Sequence, residues 1–256
     1  MLIGVTLPSF RENAQALDSA RRAERLGLDG VFVFDHLWPM GRPDRPALSA
    51  MPLLGAVAAA TDEVHVGSLV ARIGLLPDDL SVRTLASIDL ISGGRFIAGL
   101  GMGDSMSAAE NLAFGLPFPP VDERLESLRW CASRLAEAGT EVWIGGGSRS
   151  RSRTITLAEE MGVAVNLWEA LPEDLAELSA GRVPAVTWAG TPGAQRGAGA
   201  DAMADHLTEI ATAGATWAVC VWPNEPNGPE TLAEVAAEVR SRVGRSGTSD
   251  APGARV

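Results

Sequence analysis

The stretch GVFVFDHLW, residues 30–38, decides how the chain folds. Its first five residues are non-polar, and Asp35 follows them. This pattern is typical of a β-strand that is covered on both faces. The preceding stretch, residues 11–27, places apolar side chains at helical spacing and closes on Gly27. The sequence therefore predicts a helix that leads into a buried strand, with polar side chains directly after the strand.

The same alternation continues along the whole chain. Apolar, β-branched runs predict eight strands, at residues 2–7, 30–35, 64–70, 95–101, 141–146, 163–168, 183–188 and 217–222. Helical patterns lie at residues 11–27, 48–60, 79–91, 122–138, 150–161, 172–180, 201–213 and 229–243. Eight strand–helix units in roughly 250 residues fit a (β/α)8 TIM barrel of the α/β class. A doubly wound open sheet is the second candidate fold, because such sheets usually contain fewer than the eight strands predicted here.

We expect one domain over residues 1–243 and a disordered tail over residues 244–256, where the composition turns polar and glycine-rich. Cys131 and Cys220 lie in apolar runs, so neither a disulfide framework nor a cysteine zinc site is expected. The first residues lack the basic and long apolar regions of a signal peptide. No apolar run reaches the roughly 18 residues of a membrane span. We therefore expect a cytoplasmic protein.

Composition excludes several kinds of chemistry. The chain has no Lys and no Tyr, so Arg supplies all 21 formal cations. This rules out a lysine Schiff base, a complete Walker A loop and a tyrosine acid or base. The net charge of −11 and the isoelectric point near 4.8 argue against nucleic-acid or anionic-membrane partners. A small-molecule partner is the expectation that remains.

In a barrel of this kind, functional residues lie at the carboxyl ends of the strands. Asp35 and His36 follow the second strand and form the most informative pair, because a histidine there can act as an acid or a base. The alternative is that Asp35 caps the next segment while His36 is a surface residue. His65 and His206 fall elsewhere, so no histidine cluster forms and no metal is expected.

Glycines cluster after the fourth and fifth strands, in GLGMGD (99–104) and GGGSRSRSR (145–153). The second cluster precedes a helix and carries Arg149, Arg151 and Arg153, which favours a phosphate site. The first cluster lacks the third glycine and the acidic partner of a dinucleotide fingerprint. Both clusters can also be no more than barrel turns.

Tryptophans also gather near the predicted strand ends. The four are Trp38, Trp168, Trp188 and Trp222. Such residues can line a flat aromatic pocket, and we expect them at the substrate site. Packing in the core is the alternative for each of them.

Three segments together resemble the bacterial luciferase-like family of flavin- or deazaflavin-dependent oxidoreductases. They are AERLGLDGVFVFDHLW (23–38), IDLISGGRFIAGLGMGD (88–104) and EVWIGGGSRSRSRTITLAEEMG (141–162). The Asp-His pair, the Ser-Gly-Gly-Arg turn, the Gly-x-Gly and the Ile-Gly-Gly turn occur in the family's order. The resemblance covers residues 1–168 well and continues weakly to about residue 243.

The resemblance implies a TIM barrel with reduced FMN or coenzyme F420 bound in its mouth. It implies that Asp35 and His36 contact the ring or the substrate, with His36 as proton donor. It also implies a non-prolyl cis peptide within the third strand's end. The cofactor-binding residues that it implies are Ser68, Leu69, Val70, Met102, Gly103, Asp104, Ser107, Gly145, Gly146, Gly147, Ser148 and Asn166.

The chain also departs from the family pattern. An Arg-His-Pro-like turn is replaced by residues 74–78, the sixth strand reads GVAVNLW, and the insertion segments are short. A less covered site is poorly suited to shielding a flavin peroxide from water. We therefore expect F420-dependent hydride transfer to or from a small organic molecule. An FMN monooxygenase fed by a separate reductase is the alternative, and a non-catalytic flavin-binding barrel is the alternative of another class. The expected partner that supplies the reduced cofactor is a flavin or F420 reductase, according to the cofactor used. The resemblance also implies a homodimer.

Overall fold

The computed structural model describes residues 1–9, 15–39, 42–45, 47–194 and 199–246, without the side chains of residues 245–246. Nine strands alternate with helices over these residues. The strands are β1 (Leu2–Thr6), β2 (Gly30–Val33), β3 (His65–Ser68), β4 (Ala71–Arg72), β5 (Phe96–Gly101), β6 (Glu141–Gly147), β7 (Ala164–Trp168), β8 (Val186–Gly190) and β9 (Ala215–Cys220). The helices are α1 (Ala16–Arg25), α2 (Ala50–Ala60), α3 (Asp78–Ser92), α4 (Ser105–Ala113), α5 (Val121–Glu137), α6 (Arg153–Met161), α7 (Pro172–Ser179), α8 (Ala200–Thr212) and α9 (Gly228–Ser246).

The strands form one closed parallel sheet. Their order is β3-β2-β1-β9-β8-β7-β6-β5-β4, and a further β3–β5 pairing closes the ring. β3 and β4 together occupy the third of eight barrel positions, because the chain bulges between them. The predicted (β/α)8 TIM barrel is therefore confirmed.

Alternate residues of each strand face opposite sides of the wall, and each side has its own core. Ile3, Val5 and Leu100 belong to the layer between strands and helices, which includes most buried side chains. Phe32, Trp143 and Trp217 belong to a separate cluster inside the barrel. Because both faces are covered, the strands are apolar throughout, which is the pattern that revealed them.

The structure differs from the prediction in several places. α4 was not predicted at all, although it begins shortly after β5 ends. β8 begins at Val186, three residues later than expected, and α9 reaches Ser246, beyond the predicted helix end at residue 243. The first part of the predicted helix 11–27 and the tail 247–256 lie outside the described residues.

Candidate active site

The barrel interior has an apolar lower end, which we call the floor, formed by Phe32, Trp143 and Trp217. Phe32 stacks on Trp143 at 5.4 Å between ring centroids and meets Trp217 edge-on at 5.8 Å. A Cβ on Gly67 would lie 2.3 Å from a ring carbon of Phe32, so this strand needs glycine there. The floor closes the barrel from below and confines any ligand to the opposite end, which we call the mouth.

A bulge between β3 and β4 forms one wall of the mouth. The Leu69–Val70 peptide bond is cis, as predicted for residues 68–70. The Ser68 hydroxyl donates to the Gly99 carbonyl oxygen at 2.8 Å and anchors the bulge to β5. The bulge places Val70 against Gly101 and Gly145, where a Cβ would lie 2.5 Å and 3.4 Å from its methyl groups.

Asp35 and His36 lie directly beyond β2, at the mouth. The His36 ring nitrogen Nδ1 lies 2.9 Å from Oε1 of Glu110, and the Leu37 N–H donates to Oε2 of Glu110 at 2.9 Å. Arg72 donates from a terminal guanidinium nitrogen to the same Oε2 at 2.9 Å. Its backbone N–H donates to Oδ2 of Asp35, also at 2.9 Å. Glu110 is therefore the centre of a network that joins β2, β4 and α4.

Burial sets the electrostatics of this network. The side chains of Arg72 and Glu110 are 5% and 4% exposed, and that of His36 is 27% exposed. Burial alone would raise the pKa of Glu110. The hydrogen bonds from Leu37 and His36 and the charges of His36 and Arg72 outweigh it, so the pKa of Glu110 is lowered. Burial raises the pKa of Asp35, against the opposing effects of the Arg72 N–H and charge.

Helix α4 holds Glu110 in place through an N-terminal capping box. The carboxylate of Asp104 accepts from the N–H groups of Met106 and Ser107, and the Ser107 hydroxyl accepts from the Asp104 N–H. Arg124 donates to the Met102 and Gly103 carbonyl oxygens and fixes the turn before the helix. Asp104 and Ser107, which were predicted to bind the cofactor, therefore cap the start of α4 in the structure.

The predicted phosphate loop lies at the end of β6. Gly145 faces the mouth, whereas Gly146 packs among side chains of the helix layer. Gly147 has a φ of +83°, which favours glycine, and both Gly147 and Ser148 are exposed. Arg151 lies 3.2 Å from Glu177, and Arg153 pairs with Asp122. Two of the three arginines expected at a phosphate therefore already have carboxylate partners.

The adjacent strand β7 contributes one polar and one aromatic side chain to the interior. Asn166 is buried, and its amide donates to the Thr187 hydroxyl at 2.9 Å. Trp168 is half-buried and meets Phe34 edge-on at 5.8 Å. These two predicted residues therefore reach the interior of the barrel.

The four tryptophans predicted at the substrate site do not form a single aromatic wall. Trp188 is 1% exposed, lies in the layer between strands and helices, and donates from Nε1 to the Ala170 carbonyl oxygen. Trp222 lines a cavity between the segments that follow β8 and β9. Trp38 packs against Phe114, with 6.0 Å between the ring centroids. Only Trp168 packs against the cluster inside the barrel.

The residues that the structure describes line two cavities at this end of the barrel. One, of about 710 Å³, lies between the segments that follow β8 and β9, and Trp222 and Asn224 are among its lining residues. The other, of about 350 Å³, lies between α2, α3 and the segment after α4, with Asp35 and Arg72 in its lining. The smaller cavity is therefore the one in contact with the Glu110 network.

The sequence alone assigned no role to Glu110 or to Arg72. The spacing of Asp104 and Ser107 is a helix-start signal that could have revealed α4. Nothing in the local sequence marks Glu110 as buried. The described residues contain no group of three or more His, Cys, Asp or Glu side chains that could hold a metal ion. Among the same residues, no helix is long and apolar enough to cross a membrane.

Comparison with known proteins gives relatives in sequence and in fold. The F420-dependent glucose-6-phosphate dehydrogenase of Beutenbergia cavernae is 35% identical over 164 residues, which are 63% of this chain and 48% of that protein. The chain thus spans about half the length of the curated relatives it matches.

Solved structures share the fold at low sequence identity. An F420-dependent secondary alcohol dehydrogenase in complex with an F420–acetone adduct aligns with a TM-score of 0.74 and 16% identity, over 93% of this chain and 99% of that one. The FMN-bound oxygenating constituent of 3,6-diketocamphane monooxygenase from Pseudomonas putida aligns with a TM-score of 0.69 and 13% identity, over 93% and 98%. Both are similar barrels, and at these identities they establish the fold alone.

The sequence family is established by a family model. The model described as luciferase-like monooxygenase matches residues 4–180, a range that contains the bulge, the Glu110 network and the glycine loop. This range exceeds half of the chain, and it agrees with the motifs around Asp35 and Gly145. The chain belongs to the luciferase-like monooxygenase family.

Proposed function

We propose that the protein is an oxidoreductase that uses coenzyme F420 for hydride transfer to or from a small organic substrate. The observation that carries this proposal is the fixed His36–Glu110 pair beside the bulge at the barrel mouth. The names of the curated relatives support the choice of coenzyme. The protein would act in solution on a small molecule, and we propose the cytoplasm as its location.

The residues of the mouth fit such a coenzyme. Gly145 presents no side chain to the mouth, which would let a flat ring approach the backbone beside Val70. The exposed loop of Gly147 and Ser148, with Arg149 next to it, offers N–H donors and a cation for a phosphate. When bound, the deazaflavin supplies the carbon that accepts or releases a hydride.

The protein's own residues position a proton at His36. Because Glu110 holds Nδ1, His36 exchanges a proton with a substrate through Nε2. Arg72 neutralises Glu110 and keeps the carboxylate in place, and Asp35 secures the backbone of Arg72. His36 is thus the proposed acid or base, and Glu110 orients it.

A binding titration and one variant test the proposal. We expect micromolar binding of F420 and weaker binding of FMN, followed by quenching of tryptophan fluorescence. His36→Ala should lower turnover by about 10²–10⁴-fold, the usual contribution of a positioned acid or base, with F420 affinity within about tenfold. His65→Asn, at the opposite end of the barrel beside Trp217, is the matched control. Unchanged turnover in His36→Ala would refute the assignment, and binding of neither coenzyme would favour a degenerate barrel.

The second candidate is an FMN monooxygenase with a partner reductase. The description of the family model and the fold shared with an FMN-bound monooxygenase favour it. It predicts preference for FMN in the same titration and oxygen consumption coupled to product when a flavin reductase is added. F420 preference without oxygen uptake would eliminate it.

We further propose a homodimer. Leu80, Leu90 and Ile91 are 46%, 84% and 55% exposed on α3, an unusual set of large apolar side chains for a free helix surface. Sedimentation equilibrium should give twice the chain mass of 26.7 kDa, and Leu90→Glu should shift the protein towards monomer. A monomeric wild-type protein would refute this part of the proposal.

A further inference from the structure

Asn166 and Thr187 are buried polar residues on the interior face of the barrel wall. Their neighbours in the chain belong to the layer between strands and helices: Val165, Leu167, Val186 and Trp188. Because alternate residues of a strand face opposite sides, Asn166 and Thr187 face the interior. They are adjacent in register on β7 and β8, and they are 5% and 0% exposed. Two buried polar side chains therefore lie side by side within the barrel.

The register of β6 and β7 gives the depth of Asn166. Trp143 of the floor pairs with Ala164, and Gly145 pairs with Asn166. Asn166 therefore lies one interior position nearer the mouth than the floor, beside a glycine that adds no side chain to the interior. A ligand that enters through the mouth and reaches the floor would have its innermost edge beside Asn166.

Thr187 holds the Asn166 amide in one orientation. Nδ2 of Asn166 donates to the Thr187 hydroxyl oxygen at 2.9 Å, and that hydroxyl donates to the Val165 carbonyl oxygen at 3.2 Å. Since the hydroxyl proton is used on Val165, the Thr187 oxygen can only accept from Asn166. The amide therefore presents Nδ2 to Thr187 and directs Oδ1 away from it.

Oδ1 of Asn166 is an unused acceptor. It has no hydrogen-bond partner among the described residues, yet it retains accessible surface, unlike the unpartnered polar atoms of Ser9 and Asn111. Thr6, another interior residue, already has a partner, because its hydroxyl oxygen accepts from the Trp222 N–H. An acceptor that is oriented in advance and accessible from the interior is ready to pair with a donor on a ligand.

An amide oxygen in this position discriminates between ligand edges. An N–H or O–H group would pair with Oδ1, whereas a methyl group or a carbonyl oxygen would displace water from Oδ1 and leave it unpaired. The hydrogen bond to Thr187 prevents the amide from turning its own N–H groups towards the ligand. Because the amide carries no charge, this selection depends on hydrogen bonding alone.

We propose that Asn166 is a specificity-determining residue that requires an N–H or O–H donor on the innermost edge of a flat ring, and that Thr187 positions it. The proposal rests on the proposed function in that the ring is of the flavin type. In such a ring the donor is the imide N–H or, in the deazaflavin of F420, the phenolic hydroxyl.

Methylated rings test for the donor by direct binding to the full chain. The probes are 8-hydroxy-5-deazariboflavin, its N3-methyl derivative and its 8-methoxy derivative, each titrated by quenching of tryptophan fluorescence. We expect one methylated derivative to bind at least about tenfold more weakly than the parent, because methylation removes the donor and leaves Oδ1 unpaired. The derivative that loses affinity identifies the donor, and equal binding of all three would overturn the proposal.

Asn166→Leu distinguishes a lost hydrogen bond from a steric collision. Leucine is close to asparagine in shape and removes the acceptor, so the loss of affinity on methylation should fall below about twofold in this variant. The same loss in the wild-type protein and in Asn166→Leu would mean that the methyl group collides elsewhere, and this result would overturn the proposal.

Thr187→Val and Thr187→Ser form a matched pair that tests the positioning role. Valine removes the hydroxyl and releases the amide, so the loss of affinity on methylation should become smaller. Serine retains the hydroxyl and should preserve the wild-type loss. Equal losses in the two variants would refute the role of Thr187, and this pair also decides the proposal if Asn166→Leu does not fold.

Failure of this proposal is distinct from failure of the proposed function. Tight binding of F420 without any loss on methylation would refute the role of Asn166 alone. Preference for FMN, with a loss on N3-methylation of FMN that Asn166→Leu removes, would refute the use of F420 and support the role of Asn166. Binding of none of these rings to the wild-type protein would overturn both.

Discussion

The floor and the mouth of the barrel are built by the same strands, yet apolar packing dominates one and buried charged groups dominate the other. At the floor, Phe32, Trp143 and Trp217 fill the interior, and glycines such as Gly67 provide the space for their rings. At the mouth, charged groups are brought together in a buried network around Glu110. Shape complementarity therefore stabilises one end of the barrel, whereas the other end holds polar groups in position for a ligand.

The largest effect is expected at the floor. Phe32→Ala should lower the free energy of unfolding by about 3–5 kcal/mol, as removal of a fully buried aromatic ring usually does. Urea unfolding monitored by tryptophan fluorescence measures the change. Gly67→Ala should also destabilise, by about 1–3 kcal/mol, because its Cβ would collide with the Phe32 ring.

A double variant sharpens this test. In a Phe32→Leu background the ring is absent, so Gly67→Ala should cost markedly less than in the wild-type protein. An equal cost in both backgrounds would mean that Gly67 is needed for another reason than the ring.

The mouth should respond to pH in a way that the floor does not. The lowered pKa of Glu110 stabilises the fold above the unfolded value of about 4.3, and this stabilisation is lost as the pH falls below it. Glu110→Gln should therefore cost about 1–3 kcal/mol at pH 7 and less in acid. Urea unfolding at pH 7 and in acid measures the change.

The pH dependence of stability that Asp35 contributes has the opposite sign. The raised pKa of Asp35 means that the folded state loses stability as the pH rises above the unfolded value of about 3.9. Asp35→Asn keeps an oxygen for the Arg72 N–H and should stabilise the protein at pH 7, with the gain disappearing in acid. Destabilisation of both variants at every pH would contradict these assignments.

Trp188 and Trp168 lie on opposite faces of the barrel wall, one towards the helices and one towards the interior, so their substitutions should have different effects. Trp188→Phe removes the hydrogen bond to the Ala170 carbonyl oxygen and should lower thermal stability while leaving coenzyme affinity unchanged. Trp168→Phe, inside the barrel beside Phe34, should change stability less and weaken coenzyme binding severalfold. The reverse pattern would show that Trp168 is a packing residue.

These tryptophans also show what the sequence could not determine. The eight units, the barrel and the positions of Asp35 and His36 follow from apolar runs, helical spacing and turn residues, which are local signals. A parallel strand is apolar on both faces, so its sequence does not tell which face carries Trp188. For this reason the sequence could not exclude a position of Trp188 in the layer between strands and helices, where the structure places it.

Glu110 escaped prediction for a different physical reason. Its helix, α4, is short and begins within a run of Gly, Asp and Ser residues that is typical of a loop. Its burial depends on Arg72 and His36, which are 38 and 74 residues away along the chain. Long-range pairing of charges leaves no periodic pattern, so the centre of the network becomes visible only in three dimensions.

The smallest effect is expected at the glycine loop, where the mouth meets solvent. Arg149→Gln should raise the Kd for F420 by about three- to fivefold, in the range of an exposed charge contact. Arg151 already pairs with Glu177, so Arg151→Gln should change the Kd by less than about twofold and is the matched control. Because exposed charges are screened, the Arg149 effect should shrink as salt rises towards 1 M. An Arg149→Gln protein with wild-type affinity at low salt would mean that the coenzyme phosphate is held elsewhere at the mouth.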